Sequence, residues 1–114
     1  MIRGTTPQHT FTLPFVPPDG TEYRIVYAQG EDYKEKILFE VETKDCTVDG
    51  SAVSVRLTKE QTLLFDTTPH WQNGLYVPEP VKIQLGVKTP GGETLWGSII
   101  TTTVDRCLRK DGVV

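Results

Sequence analysis

The sequence predicts an all-β protein, an immunoglobulin-like β-sandwich of about seven antiparallel strands with one short helical turn. Several runs of residues alternate between apolar and polar side chains, which is the period of a strand with one buried face. Turn residues separate these runs at intervals of about 8–12 residues, a spacing typical of sandwiches. The Cys–Trp–Cys pattern of antibody domains is missing, so the likeness concerns architecture alone.

Length and composition favour one domain over residues 1–114, with residues 1–8 as a flexible leader and residues 105–114 as a tail. Hydrophobic residues make up 37% of the chain and charged residues 24%, a balance that argues against wholesale disorder. The net charge of −3 argues against nucleic acid as a partner. No membrane partner is expected either, because no apolar run approaches the roughly 18 residues of a spanning helix. The first residues lack the apolar core of a signal peptide, so we expect synthesis in the cytoplasm.

The stretch Val81–Val104 predicts one β-hairpin around which the shorter strands assemble. Its first half alternates between apolar and polar residues, and the turn at Thr89–Gly92 combines a proline with two glycines. Three residues of the return half share one face: Ile100, Thr102 and Val104. Leu95 is out of phase with them, so we expect a β-bulge near Gly97.

Two strands are predicted near the start of the chain, at His9–Phe15 and Thr21–Gln29. Pro14 lies inside the first run, and since proline cannot donate to a β-ladder, we expect an edge strand. The second run alternates cleanly. Its inward residues are predicted to be Tyr23, Ile25 and Tyr27.

A third strand is predicted at Tyr33–Thr43. Its charged residues also permit a helix, but the apolar positions fit a period of two better than 3.6. The inward residues of this strand are predicted to be Ile37, Phe39 and Val41. Cys46–Leu57 predicts a tight hairpin that turns at Asp49–Gly50. The inward residues of this hairpin are predicted to be Val53, Val55 and Leu57.

A short helical turn is predicted from Thr58 to about Leu64. Thr58 and Gln61 have the spacing of a capping box, in which each side chain bonds the other residue's backbone N–H. We expect one apolar residue of this segment, Leu63, Leu64 or Phe65, to pack beneath the sheets.

The segment Asp66–Pro80 is predicted to be the longest irregular stretch, and loops longer than about 12 residues tend to be functional or disordered. Tryptophan and tyrosine are enriched among the anchors of protein interfaces. The candidate protein-contact residues are therefore Trp71, Leu75, Tyr76 and Trp96. Core packing is the alternative for Trp71 and Tyr76, because a loop of this length needs an apolar anchor of its own.

No catalytic, cofactor or metal site is predicted, and the protein is not expected to be an enzyme. His9 and His70 lie outside any nucleophile motif, so we expect them at the surface or at a cap. Glu31–Asp32 has too few oxygen ligands for a divalent-cation loop. Cys46 and Cys107 show no paired zinc-ligand spacing. Free thiols are expected in a reducing cytosol, with a disulfide between the two as the alternative.

Two motifs carry a family resemblance. Arg3–Phe15 has the pattern R-G-T-T-P-x-H-T-F-x-L-P-F, and Thr58–Phe65 has T-x-E-x-T-L-x-F. With VYAQG at Val26–Gly30, these motifs resemble a group of small uncharacterised proteins of similar length encoded in phages and prophages of Gram-positive gut bacteria. The resemblance implies no catalytic residue. It implies a gene among those for virion morphogenesis.

The resemblance therefore implies a non-enzymatic structural or accessory module of a phage particle, in the tail–baseplate or the capsid. Such a protein is made in the bacterial cytoplasm and located in the virion. Its expected partners are other phage structural proteins or further copies of itself, because virion parts repeat by symmetry. Two alternatives stay open. One is a phage-encoded binder or inhibitor of a host protein, and the other is a carbohydrate-binding, receptor-recognising module that uses Trp71, Tyr76 or Trp96.

Overall fold

A computed structural model describes residues 1–72, 74–109 and 111–114, without the side chains of residues 70–72 and 75–77. The chain forms an all-β sandwich, as the sequence predicts. The described strands are β1 (Gln8–Thr12), β2 (Glu22–Gln29), β3 (Lys36–Glu42), β4 (Cys46–Asp49), β5 (Ala52–Arg56), β6 (Pro69–Gln72), β7 (Leu75–Pro78), β8 (Val81–Lys88), β9 (Thr94–Trp96) and β10 (Ile100–Thr102). A 3₁₀ turn at Thr43–Asp45 and the one-turn helix α1 (Lys59–Thr62) complete the described elements.

Two antiparallel sheets form the sandwich. One sheet has the order β1-β5-β4, and in the other β3, β2 and β8 lie side by side, with both β9 and β10 paired to β8. This division matches strands B, E and D of an immunoglobulin-like fold facing strands C′, C, F and G. The hairpin β6–β7 is inserted between the strands that correspond to E and F. The predicted architecture is therefore confirmed.

The core lies between the two inner faces and follows the predicted alternation. β2 contributes the buried residues Tyr23, Ile25 and Tyr27. The β4–β5 hairpin and the residue after it contribute Val53, Val55 and Leu57. Tyr27 stacks on Phe39 with 4.7 Å between ring centroids, and Phe65 packs against both rings. The inward residues predicted for β2 and β5 are thus confirmed.

The helical turn α1 has the predicted capping box. The Thr58 hydroxyl accepts a hydrogen bond from the Gln61 N–H at 3.1 Å, and the Gln61 side chain accepts one from the Thr58 N–H at 2.9 Å. Phe65 is the residue that packs beneath the sheets, whereas Leu64 is exposed.

The first residues, predicted as a flexible leader, bond to this helical turn. Arg3 donates to the carbonyls of Leu63 and Phe65 at 2.8 and 2.9 Å. The Gly4 N–H donates to the Thr62 hydroxyl at 3.0 Å. These contacts tie the start of the chain to the connection between the two sheets, and no pattern in the sequence indicates them.

The predicted phase of β3 is wrong at one residue. Ile37, expected inside, is 59% exposed. Tyr27 lies opposite Phe39 while the next residue of β2, Ala28, lies opposite Ile37, so Leu38 is an extra residue on β3. This bulge reverses the inside–outside alternation and turns Ile37 to the outer face.

The predicted hairpin from Val81 has the expected bulge. Ile83 and Gly86 are three residues apart on the first strand, whereas their partners on the return strand, Ile100 and Trp96, are four residues apart. The return strand is therefore divided into β9 and β10 by a one-residue shift near Gly97. Ile100 and Val104, predicted on one face, differ in burial: Ile100 is half-exposed at the sheet edge and Val104 is buried.

Two turn predictions also need correction. The turn between β4 and β5 consists of Gly50 and Ser51, because Asp49 already pairs with Ala52. The segment predicted to be the longest irregular stretch, Asp66–Pro80, contains the β6–β7 hairpin. Gly74, in its two-residue turn, has a φ of +79°, a conformation that glycine adopts readily.

Candidate protein-contact site

The root of the inserted hairpin is held by one buried side chain. Gln29, the last residue of β2, donates from Nε2 to the carbonyls of Asp66 at 2.6 Å and Glu79 at 3.0 Å. Its Oε1 accepts a hydrogen bond from the Asp66 N–H at 2.8 Å. The Gly30 N–H adds a bond to the Pro80 carbonyl at 3.1 Å. One amide group therefore clamps both ends of the insertion, so we call Gln29, Asp66 and Glu79 the root clamp.

Beyond this root, the hairpin backbone has few contacts with the other described elements. Among the described strands, β6 and β7 pair with each other and with no third strand. The Cα radius of gyration is 15.4 Å, and a compact chain of this length has about 13 Å, so the molecule is extended. An inserted element that is attached to the sandwich mainly at its root is well placed to meet a partner.

Three predicted contact residues lie in this hairpin. Trp71 is opposite Tyr76 in the strand register, and Leu75 is opposite Gln72. The structure therefore brings the two predicted aromatic residues to directly opposed backbone positions. Their side chains lie outside the described part of the chain, so packing and contact both stay open for them.

A charged cluster lies beside the root clamp. The buried ammonium of Lys82 contacts the carboxylates of Asp32 and Glu35, the latter at 3.1 Å. The hydrogen bond to Asp32, with a second to Glu35, raises the pKa of Lys82 above its ordinary value. Lys82 therefore stays charged at neutral pH and cannot serve as a nucleophile. Tyr33, in the same loop, is fully exposed and has a φ of +65°, a backbone conformation that is strained for tyrosine.

The fourth predicted contact residue, Trp96, lies on a different part of the surface. It pairs with Gly86 of β8, five residues beyond Val81, which corresponds to roughly 17 Å along the strand. Trp96 is 51% exposed. The structure thus separates Trp96 from the hairpin that carries the other three candidates.

An apolar trough occupies the outer sheet face between these two regions. Its apolar lining residues are Val26, Ala28, Ile37, Ile83 and Ile99, and its polar lining residues are Glu35, Lys82 and Gln84. Ile37 and Ile99 are each more than half exposed. The neighbouring edge strand β3 carries Lys36, Glu40 and Glu42, and charges of this kind discourage pairing of strand edges. The face is therefore a better contact surface than this edge.

No protein-family model and no curated protein sequence matches this chain. The candidate site accordingly depends on the geometry of the chain itself.

His9, predicted at the surface or at a cap, is instead half-buried inside the sandwich. Its Nδ1 lies 2.8 Å from the Tyr27 hydroxyl, and the two rings stack. Burial lowers the pKa of His9 and raises the pKa of Tyr27. Burial also raises the pKa of the Cys46 thiol, which disfavours the reactive thiolate. This cluster has the properties of a packed core rather than of an activated nucleophile and base.

Cys46 and Cys107 are free thiols. No three His, Cys, Asp or Glu side chains among the described residues come together as metal ligands. The described helices are all too short to cross a membrane.

Two residues that shape these surfaces were missed by the sequence reasoning. Gln29 ends an alternating strand, and nothing in the local sequence indicates a clamp, because its partners lie 37 and 50 residues away along the chain. Gly86 did give a signal, because a glycine inside a strand often marks a site where another group approaches closely. The Asn73–Gly74 pair was likewise a signal for a two-residue hairpin turn.

Proposed function

We propose that this protein is a non-enzymatic module of a phage particle, in the tail–baseplate or the capsid, that acts through protein–protein contacts. The observation that carries the proposal is the inserted hairpin, which is fixed at its root by Gln29 and forms a two-stranded sheet of its own. A rigid sandwich that presents an added hairpin suits a part whose task is to hold a neighbour in register. The family resemblance supports the location in the particle.

The apolar trough gives the proposed contact a second surface close to the root. Exposed apolar side chains that adjoin one another mark protein contact sites more often than isolated ones do. The trough and the hairpin are two separate candidate contact surfaces, which suits a repeated assembly in which each copy contacts more than one neighbour.

Mass spectrometry of purified particles from an induced lysogen tests the location. We expect many copies of the protein per particle. Absence from particles, with the protein abundant in the infected cell, would contradict the proposal and favour a binder of a host protein.

A pair of matched variants tests the contact surface. Ile37→Asp places a charge in the trough, and Val48→Asp places one on an exposed apolar residue of the other sheet, which is 43% exposed. Ile37→Asp should lower the number of copies per particle, whereas Val48→Asp should not. Equal incorporation of both variants would exclude the trough as a contact.

A third variant replaces residues 67–78 by a short Gly-Ser linker. Because the root clamp already holds Asp66 and Glu79 together, the sandwich should remain folded, which circular dichroism checks. Incorporation into particles should be lost. Incorporation at the normal level would exclude the hairpin as the contact element.

A further inference from the structure

We propose that the outer sheet face around Trp96 is a saccharide-binding site. The inference goes beyond the proposed function and does not depend on it. It starts from the way in which the indole lies on the sheet. A Cβ at Gly86 would lie 2.6, 2.7 and 2.8 Å from three adjacent atoms of the six-membered indole ring. Such nearly equal distances place the face of the ring, and not its edge, over the strand. The opposite face of the indole is therefore open to solvent, in agreement with its exposure of 51%.

The residues beside the indole lie in one row across the sheet. Trp96 pairs with Gly86, Gly86 with Arg24, and Arg24 with Glu42. Since neighbouring strands are about 4.8 Å apart, the row spans roughly 14 Å from Trp96 to Glu42. Gly86 has no side chain, so the indole lies over it, and the row presents a flat aromatic surface beside the charged groups of Arg24 and Glu42. We call this row the Trp96 platform.

Polar groups surround the platform. The groove above it has a volume of about 540 Å³, within the range of small-ligand sites. Its charged lining residues are of both signs: Glu22, Arg24, Glu42, Lys44 and Lys88. Thr94 adds a hydroxyl group, whereas the Thr43 hydroxyl is already bonded to the main chain of Tyr23. The platform therefore offers donors and acceptors around one apolar surface.

This combination matches the chemistry of a sugar ring. The axial C–H groups of a pyranose form an apolar face that packs on an aromatic ring, while its equatorial hydroxyls point outward to hydrogen-bonding groups. Carboxylates, ammonium groups and guanidinium together bind a polyhydroxylated ligand, because each hydroxyl both donates and accepts. The carboxylates of Glu22 and Glu42 lie among the cations of Arg24, Lys44 and Lys88, so the lining is not dedicated to an anion. A protein hot spot would instead be surrounded by groups that exclude water. The observations thus favour a neutral saccharide.

Isothermal titration with defined oligosaccharides tests the proposal. The probes are cellohexaose, chitohexaose and maltohexaose, which present different ring faces and linkages. We expect at least one to bind, and Trp96→Ala to weaken that binding by roughly tenfold or more. Trp96→Phe keeps a smaller aromatic surface and should retain part of the affinity. Glu42→Gln should weaken binding by a smaller factor, because it removes a charged acceptor and leaves the indole of Trp96 in place.

Leu64→Ala is the matched control, because Leu64 is 53% exposed, close to the exposure of Trp96, and lies away from the platform. This variant should bind as the wild type does. The proposal is overturned if no hexaose binds at concentrations up to about 1 mM, or if Trp96→Ala, with an unchanged circular dichroism spectrum, binds equally well. Loss of self-association in Trp96→Ala, without any sugar binding in the wild type, would also overturn it and assign the face to protein contact. Particle mass spectrometry reports on the proposed function separately, so the two proposals can fail independently.

Discussion

Two antiparallel β-hairpins follow α1, and different interactions stabilise them. The hairpin formed by β8 with β9 and β10 lies inside a sheet, where β8 also pairs along its whole length with β2. The β6–β7 hairpin has no such neighbour among the described strands. In each hairpin, one glutamine side chain bonds to the main chain. Gln84 Nε2 donates to the Gly97 carbonyl at 2.9 Å, and Gln29 bonds to both ends of the insertion.

The difference shows what fixes a hairpin in this molecule. Inside the sheet, burial of apolar residues on β8 stabilises the strands, and the Gln84 bond only secures the bulge. Outside the sheet, Gln29 makes three hydrogen bonds that fix where the insertion leaves the sandwich. Removal of apolar contacts should therefore affect the first hairpin, and removal of the glutamine the second.

The largest expected effect comes from Ile25→Ala in the core. Ile25 is fully buried on β2 beside Leu85 of β8, so the substitution leaves a cavity and should lower the free energy of unfolding by about 2–5 kcal/mol. Denaturant unfolding measures the loss. Amide exchange should accelerate in β2 and β8, while exchange in the inserted hairpin, governed by its own local opening, should change little.

Val48→Ala is the control for this substitution. Val48 is an exposed residue of an edge strand, and its truncation should change stability by about 0.5 kcal/mol or less. If Ile25→Ala accelerated exchange equally in both hairpins, the two would belong to one cooperative unit and the contrast between them would be lost.

Gln29→Leu should have the next largest effect. It removes three hydrogen bonds and leaves main-chain groups of Asp66 and Glu79 without that partner, at a cost of roughly 2–3 kcal/mol. The matched variant in the other hairpin is Gln84→Leu, which removes a single bond and should cost about 1 kcal/mol. Amide exchange at Asp66 and at the strand ends next to the root measures the loosening. Similar losses in both variants would show that the root clamp has no special role.

These residues also show how far a sequence predicts a structure. Period-two alternation located β2, β5 and β8 and the inward residues of β2 and β5, because burial of one sheet face is a local pattern. It failed at Ile37, since a single extra residue on β3 reverses the alternation and nothing in the local sequence marks Leu38 as that residue. The pattern also could not reveal Gln29 as a clamp, because its partners lie 37 and 50 residues away along the chain.

The candidate site was predicted in part. Aromatic composition made Trp96 a candidate contact residue, and the structure leaves its side chain 51% exposed, while its role as a contact stays a prediction. The same reasoning grouped Trp96 with the residues of the hairpin, although register separates them by about five residues along β8. Composition identifies which side chains are suited to binding. Strand pairing decides which of them share a surface.

A double-mutant cycle on Gly86 and Trp96 sharpens the account of the hairpin inside the sheet. Gly86→Ala alone forces the indole from its place, because the new Cβ would lie within 2.8 Å of three ring atoms, and should cost about 1 kcal/mol. In the Trp96→Ala background the same change should be neutral or stabilising, since glycine inside a strand costs roughly 0.5–1 kcal/mol relative to alanine. Denaturant unfolding of the four proteins gives the coupling. Additive effects would mean that the indole does not lie on Gly86.

The smallest expected effect is a pH dependence confined to the sandwich. Burial lowers the pKa of His9 below its ordinary value of 6.5, so as the pH falls the unfolded chain takes up the proton first. The contribution of neutral His9 is therefore complete above pH 6.5 and decreases as the pH falls through that value towards the folded pKa. The root clamp at Gln29 uses an uncharged amide that does not titrate. Between about pH 7.5 and about pH 5.5, unfolding of the sandwich should become easier while exchange at the root, corrected for its intrinsic pH dependence, should stay constant. His9→Gln should reduce the dependence of the unfolding free energy on pH, whereas the control His70→Gln should leave it unchanged. An unchanged pH dependence in His9→Gln would locate the titrating group elsewhere.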